Sequence, residues 1–540
     1  MYNLLKEKKI KLALFTVLAF ILLINNWSVS LWDQDESAYA GFGSTMNETG
    51  DYLIPSFTWS DVHRKPPLHF WLIAGSQKVF GANEFATRFP VSVAIFLVYL
   101  LIYFQGKKFF GEKTAIYAVV ILGTSFFIPA LGKIAVTDGL LLLFHTLAGF
   151  SLLNILENKS YKWVAIFWFS FAMGILVKGP PIMIFTGFLT ILLFAFHKKR
   201  MNLIVMHPWF FMPLAFIPFA LWGYAAWQYD DGKFLTWMYE WYILKRVGDS
   251  VFDQTGPPGY YLVNFFVFFL TYLTFLPGAL FNAFKSLKTK SPDMLSALAW
   301  LIASWLFYEF ISSKLPAYVI ASYPILVIII AKQIINAEQE NSNFSLNKIA
   351  SIFQLIISLA ISVGLIYGGY IYLSLTGFII ATSIALIFFI GTLLALVNFW
   401  KQNSIISIKY FMGNALVFVL LIWTVLMPQV NGIKNSTKRT AEYVKNNISE
   451  TTTIIISNNA GHPPSLPFYL HQKNLKSQII EDYNEKSLIN RYQSDSSFVF
   501  ILNKSKLDML IKQFGNLDTK RITSLSSDRK ASADYYILKN

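Results

Sequence analysis

The chain reads as a multi-spanning α-helical membrane protein, with interfacial helices in its first outer loop and a small C-terminal α/β domain. Three observations lead there. Of 540 residues, 55% are hydrophobic and only 14% charged, whereas soluble domains run nearer a quarter charged. Apolar runs of about 20 residues recur, the length a helix needs to cross a bilayer. Every second connector carries the Lys and Arg, which puts those connectors on one side, as the positive-inside rule requires. The formal net charge of +15 is therefore charge that orients spans, not a nucleic-acid footprint. There is no cysteine, which removes disulfides, thiolate chemistry and Cys-ligated metals.

In chain order, Lys6, Lys8, Lys9 and Lys11 precede the apolar run Leu12–Ile24. With Ser28 and Ser30 beyond, this could pass for a cleavable signal, but the many later spans make an uncleaved first helix the expected outcome. Spans are expected near 12–31, 90–105, 114–131, 138–156, 163–177, 180–196, 207–227, 260–284, 294–311, 316–335, 348–371, 374–399 and 410–428, about thirteen crossings. With a cytoplasmic N-terminus, the Lys-rich connectors at 107–113, 159–162, 198–200, 285–290 and 401–409 fall inside. The long loops 31–90 and 229–259 and the C-terminal tail then fall outside. Both loops are rich in Trp and Tyr, which settle at headgroup level. Within the first, Pro67–Phe80 has the pattern of a helix lying in the interface.

The transmembrane part ends near residue 430, and 431–540 form a separate unit. Strand-like runs at Thr453–Ser457, Ser477–Glu481, Ser497–Leu502 and Asp534–Leu538 alternate with helical patterns at Asn431–Asn447, Pro467–Gln472, Glu485–Tyr492 and Lys504–Phe514. That alternation predicts a partly parallel sheet. The unit carries no Gly-rich phosphate loop and no metal-ligand cluster, so a supporting role is expected.

The chemistry is expected on the outer side, where ionisable residues from separate segments collect: Asp35, Glu36, Lys65, Lys133, Asp138, Lys178, Arg246 and Lys314. Ionisable groups at membrane segments are costly and usually functional. Cations suit a phosphate, Arg gripping it bidentately and Lys as a point charge. A carboxylate beside them can orient or deprotonate a nucleophile. Each residue also has a plain structural alternative. Asp35 and Glu36 could form a polar terminus for the first span, Lys65 could snorkel, and Arg246 could pair with Glu240 or Asp249. Asp138 could cap a helix after Thr137, and Lys178 and Lys314 could be interfacial anchors.

At these residues the sequence resembles a known family. Asp35-Glu36-Ser37-Ala38-Tyr39 resembles the Asp-Glu-x-x-Tyr signature of the aminoarabinose transferase and protein mannosyltransferase group of GT-C glycosyltransferases. In order there follow Gly50-Asp51-Tyr52, Lys65-Pro66-Pro67-Leu68 with Trp71, Phe80-Gly81-x-x-Glu84-Phe85-x-x-Arg88 and Thr137-Asp138. Lys178-Gly179-Pro180, Arg246, Pro257-x-Gly259-Tyr260-Tyr261 and Ser313-Lys314-Leu315-Pro316-x-Tyr318 complete the set. Any one of these tripeptides is weak, whereas the ordered set across the whole membrane part is specific.

The resemblance implies an inverting glycosyltransferase that takes a sugar from a polyprenyl phosphate, typically undecaprenyl phosphate, to a lipid, glycan or similar acceptor on the extracytoplasmic face. It implies a multi-pass bacterial inner-membrane location with no nucleic-acid partner. By position, Asp35 and Asp138 match catalytic acids, Lys65 and Arg246 the cations that hold the donor phosphate. Glu36, Tyr39, Lys178, Lys314 and Tyr318 match the pocket. Two departures stand out: Ala38 where aminoarabinose transferases commonly have Arg, and Arg64 where they have Glu before Lys-Pro-Pro. The second removes an acid from a metal position of the family. A divalent metal is compatible with the chain, but no clear ligand set supports one, since His63 alone makes none. Two rival readings are a protein O-mannosyltransferase-like enzyme acting on Ser/Thr and, from another class, a transporter or lipid flippase. Transporters usually show internal repeats and broken helices near the midplane; here no repeat is evident and the charges gather at one face.

Overall fold

The computed structural model describes residues 7–32, 35–57, 65–240, 244, 255–289, 291–340, 344–430, 436–448, 452–457, 464–472, 479–482, 484–494, 497–523 and 533–539. Asp33, His63, Arg64 and Arg246 lie outside them. Eight helices among the described residues are long and apolar enough to cross a membrane: Glu84–Phe110, Thr137–Asn158, Tyr161–Lys178, Pro208–Asp230, Pro316–Glu338, Asn347–Tyr372, Leu375–Trp400 and Ser404–Val430. Pro180–Phe196 is apolar but shorter.

The first helix, α1 (Lys8–Leu23), is shorter than the expected 12–31 and ends in a turn. Its exposed C-terminal carbonyls are taken up by a cation, as the negative end of a helix favours. Lys133 Nζ donates to Leu22 O (3.3 Å), Ile24 O (2.5 Å) and Asn26 Oδ1 (3.0 Å). Lys133, grouped above with the outer site charges, thus caps the first span.

Two other expected spans are broken. Residues 114–131 form Glu112–Gly123 and Phe127–Leu131, parted where Thr124 and Ser125 turn their hydroxyls back onto Val120 O and Leu122 O. Residues 260–284 form Tyr260–Phe268 and Leu276–Thr289, with a 3-10 turn at Leu270–Tyr272 between them. Broken backbone at membrane depth must find partners inside the protein. Gln354, from the helix Phe344–Tyr372, supplies them: its Oε1 accepts from Thr274 N (2.8 Å) and Oγ1 (2.6 Å), and its Nε2 donates to Thr271 O (2.9 Å).

Between α1 and the long helix Glu84–Phe110 lie α2 (Asp35–Thr49) and α3 (Leu68–Phe80), the second close to the expected Pro67–Phe80. Small residues on α2 allow close packing. A Cβ on Gly41 would lie 2.5 Å from the Phe57 ring, and one on Gly43 2.8 Å from Ile73. Beyond α3, Asn83 caps the long helix α4 (Glu84–Phe110), its side chain accepting from Ala86 N (2.8 Å).

The C-terminal residues form a five-stranded sheet of order β2-β1-β3-β5-β4, where β1 is Thr453–Ser457, β2 Ile479–Glu481, β3 Phe498–Leu502, β4 Thr519–Thr523 and β5 Ala533–Lys539. β1 pairs in parallel with β2 and β3, while β5 runs antiparallel to β3 and β4. β4 is an edge strand reading Thr-Lys-Arg-Ile-Thr, and edge strands favour charge over apolar alternation. That is why no strand was expected there. The sheet's inner residues Ile454, Ile456, Val499 and Ile501 share one buried cluster with Tyr39, Phe42, Phe70 and Ile73 of α2 and α3. Helices α2 and α3 and the C-terminal sheet are therefore packed against one another.

Candidate active site

Asp35 opens α2 and is half-buried. Tyr39 follows four residues later, one helical turn along the same face, and is fully buried. Lys65 Nζ donates to the Tyr39 hydroxyl. Pro66 and Pro67 then stiffen the chain into α3, where His69 lies against Tyr39 edge-on, ring centroids 5.6 Å apart.

His69 is fully buried and its Nε2 faces Ala135 O at 3.1 Å. Burial pushes its pKa down to about 4; the hydrogen bond to Ala135 opposes this, Lys65 adds to it, and Asp138 opposes it. The fields of Lys65 and Asp138 thus meet at one imidazole. Asp138 sits in the first turn of α5 (Thr137–Asn158), the end of a helix that favours a carboxylate. It is held by Lys178 Nζ at 2.6 Å, from the last turn of α6 (Tyr161–Lys178). The rings of Tyr308 and Tyr318 lie 5.7 Å apart. Tyr39, Lys65, Asp138 and Lys178, expected from four separate segments, are linked through His69 and Ala135, three residues before Asp138. Neither of those two was singled out from sequence. His69 had a signal available, since it directly continues Lys65-Pro66-Pro67-Leu68.

Two pocket residues serve other ends. Glu36 is fully engaged: Oε1 accepts from Arg88 Nε and Ala135 N, and Oε2 from Arg88 Nη2 and Trp32 N, each at 2.8 Å. A carboxylate has about four lone-pair sites, so none is left for a ligand. Lys314 donates to Tyr308 O (2.8 Å) and Glu309 O (2.7 Å), closing the C-terminal end of Pro292–Glu309, and lies 5.3 Å from the Tyr261 ring centroid. Burial pushes its ammonium below the usual 10.5, against the pull of Glu309. Glu309 itself is a satisfied polar group, accepting from Trp305 Nε1 (2.7 Å) and Gly259 N (3.0 Å). Arg246 falls outside the described residues. Among the described residues no group of three or more His, Asp or Glu is placed to hold a metal ion.

Comparison with known proteins bears on the fold and on the class of chemistry. The family described as "Dolichyl-phosphate-mannose-protein mannosyltransferase" matches residues 64–224. A relative from Yersinia pestis (strain Pestoides F), an "Undecaprenyl phosphate-alpha-4-amino-4-deoxy-L-arabinose arabinosyl transferase", is 24% identical over 489 residues, covering 86% of this chain and 84% of its own. A second such transferase, from Proteus mirabilis (strain HI4320), is 25% identical over 330 residues, covering 60% of this chain and 58% of its own. The crystal structure of ArnT from Cupriavidus metallidurans bound to undecaprenyl phosphate matches with a TM-score of 0.74 at 14% identity, covering 99% of this chain and 98% of that one. At that identity the likeness speaks for the fold. Family match, relatives and fold agree on a membrane glycosyltransferase with the GT-C fold, similar to the aminoarabinose transferase and protein mannosyltransferase-like group.

Proposed function

We propose that this enzyme moves a sugar from undecaprenyl phosphate, or a close polyprenyl phosphate, to an acceptor on the extracytoplasmic side of a bacterial inner membrane. The observation that carries the reading is the Lys65–Tyr39 contact beside His69, with Asp35 one turn before Tyr39 on α2 and His69 in turn on Ala135, three residues before the Lys178-held Asp138. The acceptor oxygen attacks the anomeric carbon from the side opposite the phosphate. As that bond forms, the bond from carbon to phosphate oxygen breaks, its electron pair returns to the phosphate, and the anomeric configuration inverts. Lys65 and Arg246 stabilise the returning charge. Where the acceptor is a hydroxyl, Asp35 takes its proton as general base. Where the acceptor is already an ionised phosphate, Asp35 positions it.

In this reading Asp138 belongs to the catalytic pocket and is oriented by Lys178, while Tyr39 and Tyr318 line it. Glu36 and Lys314 serve from outside the pocket, by fixing its walls. Ala38, fully buried on α2, puts no charge where aminoarabinose transferases commonly have Arg, which favours a different sugar or acceptor. The match over 64–224 to the mannosyltransferase family favours a second reading in which a Ser/Thr hydroxyl of a protein receives the sugar. Both are tested by reconstituting the purified protein with radiolabelled undecaprenyl-phosphate sugars and offering lipid A, membrane glycans or Ser/Thr peptides. Label that moves to lipid A or a glycan supports the first reading, and label on peptide the second. Label that stays on the carrier with every acceptor rejects both.

A further inference from the structure

Ala135 is gripped from both sides. Its N–H donates to Glu36 Oε1 (2.8 Å), one residue from Asp35. Its carbonyl meets His69 Nε2 (3.1 Å), four residues from Lys65 across the rigid Pro66-Pro67. Ala135 is itself fully buried and lies three residues before Asp138, so its peptide fixes where α5 begins. Both partners are immobile. Glu36 is locked by Arg88, and His69 is wedged against Tyr39 (5.6 Å) and Phe70 (5.6 Å).

A carbonyl oxygen only accepts, so His69 must carry its proton on Nε2. Its Nδ1, buried, meets no hydrogen-bond partner among the described residues, which is the state of a neutral ring with a bare nitrogen. The titratable groups around it are Lys65, Asp138, Glu36 and Tyr39. Fully buried, His69 has no route to exchange protons with a substrate.

We propose that His69 is a positioning residue: as the neutral Nε2–H tautomer it clamps Ala135, together with Glu36, and so sets Asp138 relative to Lys65 and Asp35 for sugar transfer. This rests on the function proposed above and assigns His69 no part in proton transfer. Displacements of about 1 Å at a reacting centre cost on the order of 100-fold in rate, so a single hydrogen bond to the loop before Asp138 suffices to matter.

The test compares His69→Phe, which keeps the ring and removes the donor, with His69→Gln, whose Nε2 replaces it, in the full-length protein with undecaprenyl-phosphate sugar as donor. His69→Phe is expected to lower kcat roughly 10- to 100-fold, with donor KM within about twofold and the pH–rate limbs unmoved; His69→Gln is expected to recover most of the rate. A second readout needs no turnover: amide exchange over 135–140 rises in His69→Phe and returns in His69→Gln. Full activity of His69→Phe with unchanged exchange overturns the proposal. So does loss of a pH limb, which would make His69 a proton carrier, and so does a poorly folded His69→Phe whose His69→Gln counterpart folds but stays inactive. A wild-type protein that transfers from no polyprenyl donor would instead defeat the proposed function, and the exchange measurement would still read the clamp.

Discussion

Glu36 and Arg88 saturate each other and their surroundings. The guanidinium's five N–H groups are all used: two go to Glu36, two from Nη1 to Asn26 O (2.8 Å) and Val29 O (2.7 Å), and one from Nη2 to Ser30 O (3.0 Å). The four acceptor sites of Glu36 are likewise filled. Both side chains are almost fully buried. The pair ties α4 to the exit of the first span and, through Ala135, to the approach to Asp138.

Arg88→Met should therefore destabilise the protein more than the loss of an ordinary contact. It strands a buried carboxylate and frees three carbonyls, and breaking a buried pair by removing one partner costs about 3–5 kcal/mol. Denaturant unfolding in detergent, followed by tryptophan fluorescence, reads this directly. A loss under about 1 kcal/mol would mean that water reaches Glu36 and that the pair is not the anchor described.

Asp35→Asn should preserve the fold and abolish most turnover. Asp35 is half-buried at the start of α2, outside the saturated pair. For a hydroxyl acceptor, removal of a general base lowers kcat by roughly 100- to 10,000-fold, while binding of the polyprenyl phosphate persists. An unchanged rate at saturating donor takes Asp35 out of the mechanism. A tenfold or smaller loss points to an acceptor that arrives already ionised.

What could be read before the structure, and what could not, follows the range of the interactions. Apolar spans such as Thr137–Asn158 are local properties of composition and were legible. The ordered family set named Tyr39, Lys65, Asp138 and Lys178 as candidates because the order of the motifs is itself visible in the sequence. The break at Leu270–Tyr272 depends on Gln354, some 80 residues away, and an apolar count passes over it. The fate of Glu36 depends on Arg88, 52 residues on. Nothing in Asp35-Glu36 as a dipeptide tells that Glu36 is consumed in structure while Asp35 stays half-buried at the start of α2. His69 had its signal in the motif, but a lone histidine looks structural until Ala135 and Asp138 are seen beside it.

Lys65→Met should weaken donor binding more than it slows the bound enzyme. Its ammonium is half-buried and touches Tyr39, and a hydrogen bond to a charged group contributes roughly 1.5–3 kcal/mol. That converts to a rise of about 10- to 150-fold in Kd for undecaprenyl phosphate, measurable by displacement of a labelled carrier. Tyr39→Phe, which keeps the ring and removes only the hydroxyl, should show a smaller rise. Equal affinity in Lys65→Met would assign the phosphate to other cations.

Stability should climb with pH between neutrality and about pH 10. Burial pushes the Lys133 ammonium down to about 7, and repulsion from Arg88 adds to this. An unfolded lysine titrates near 10.5. Between the two values the unfolded chain therefore binds more protons than the folded one, and folding is favoured as pH rises. Below 7 the cost of holding the charged form inside is present in full. Thermal unfolding of the wild type from pH 6 to pH 9 should shift upward, and Lys133→Met should flatten the rise. Parallel slopes in the two proteins would assign the effect to other groups.

The C-terminal sheet should govern the order of the acidic helix, because the two share a core and a polar junction. Leu31 N donates to the Tyr469 hydroxyl (2.8 Å), which donates in turn to Glu84 Oε1 (3.1 Å), and Lys438 Nζ reaches the same oxygen at 2.6 Å. Leu31 is four residues before Asp35, and Glu84 opens α4, so the junction braces α2 at its root. Lys438→Met leaves the Glu84 carboxylate, only 5% exposed at its side chain, with Tyr469 as its one remaining donor among these contacts. The expected result is faster amide exchange in Asp35–Thr49 and in Ser465–Gln472 together, with a lower transfer rate. Asp482→Asn provides the control: it removes a carboxylate held by Arg491 Nε at 2.9 Å inside the C-terminal residues and should speed exchange there without touching α2. If Lys438→Met loosens Ser465–Gln472 while Asp35–Thr49 stays protected, the sheet rides on α2 and α3 without bracing them.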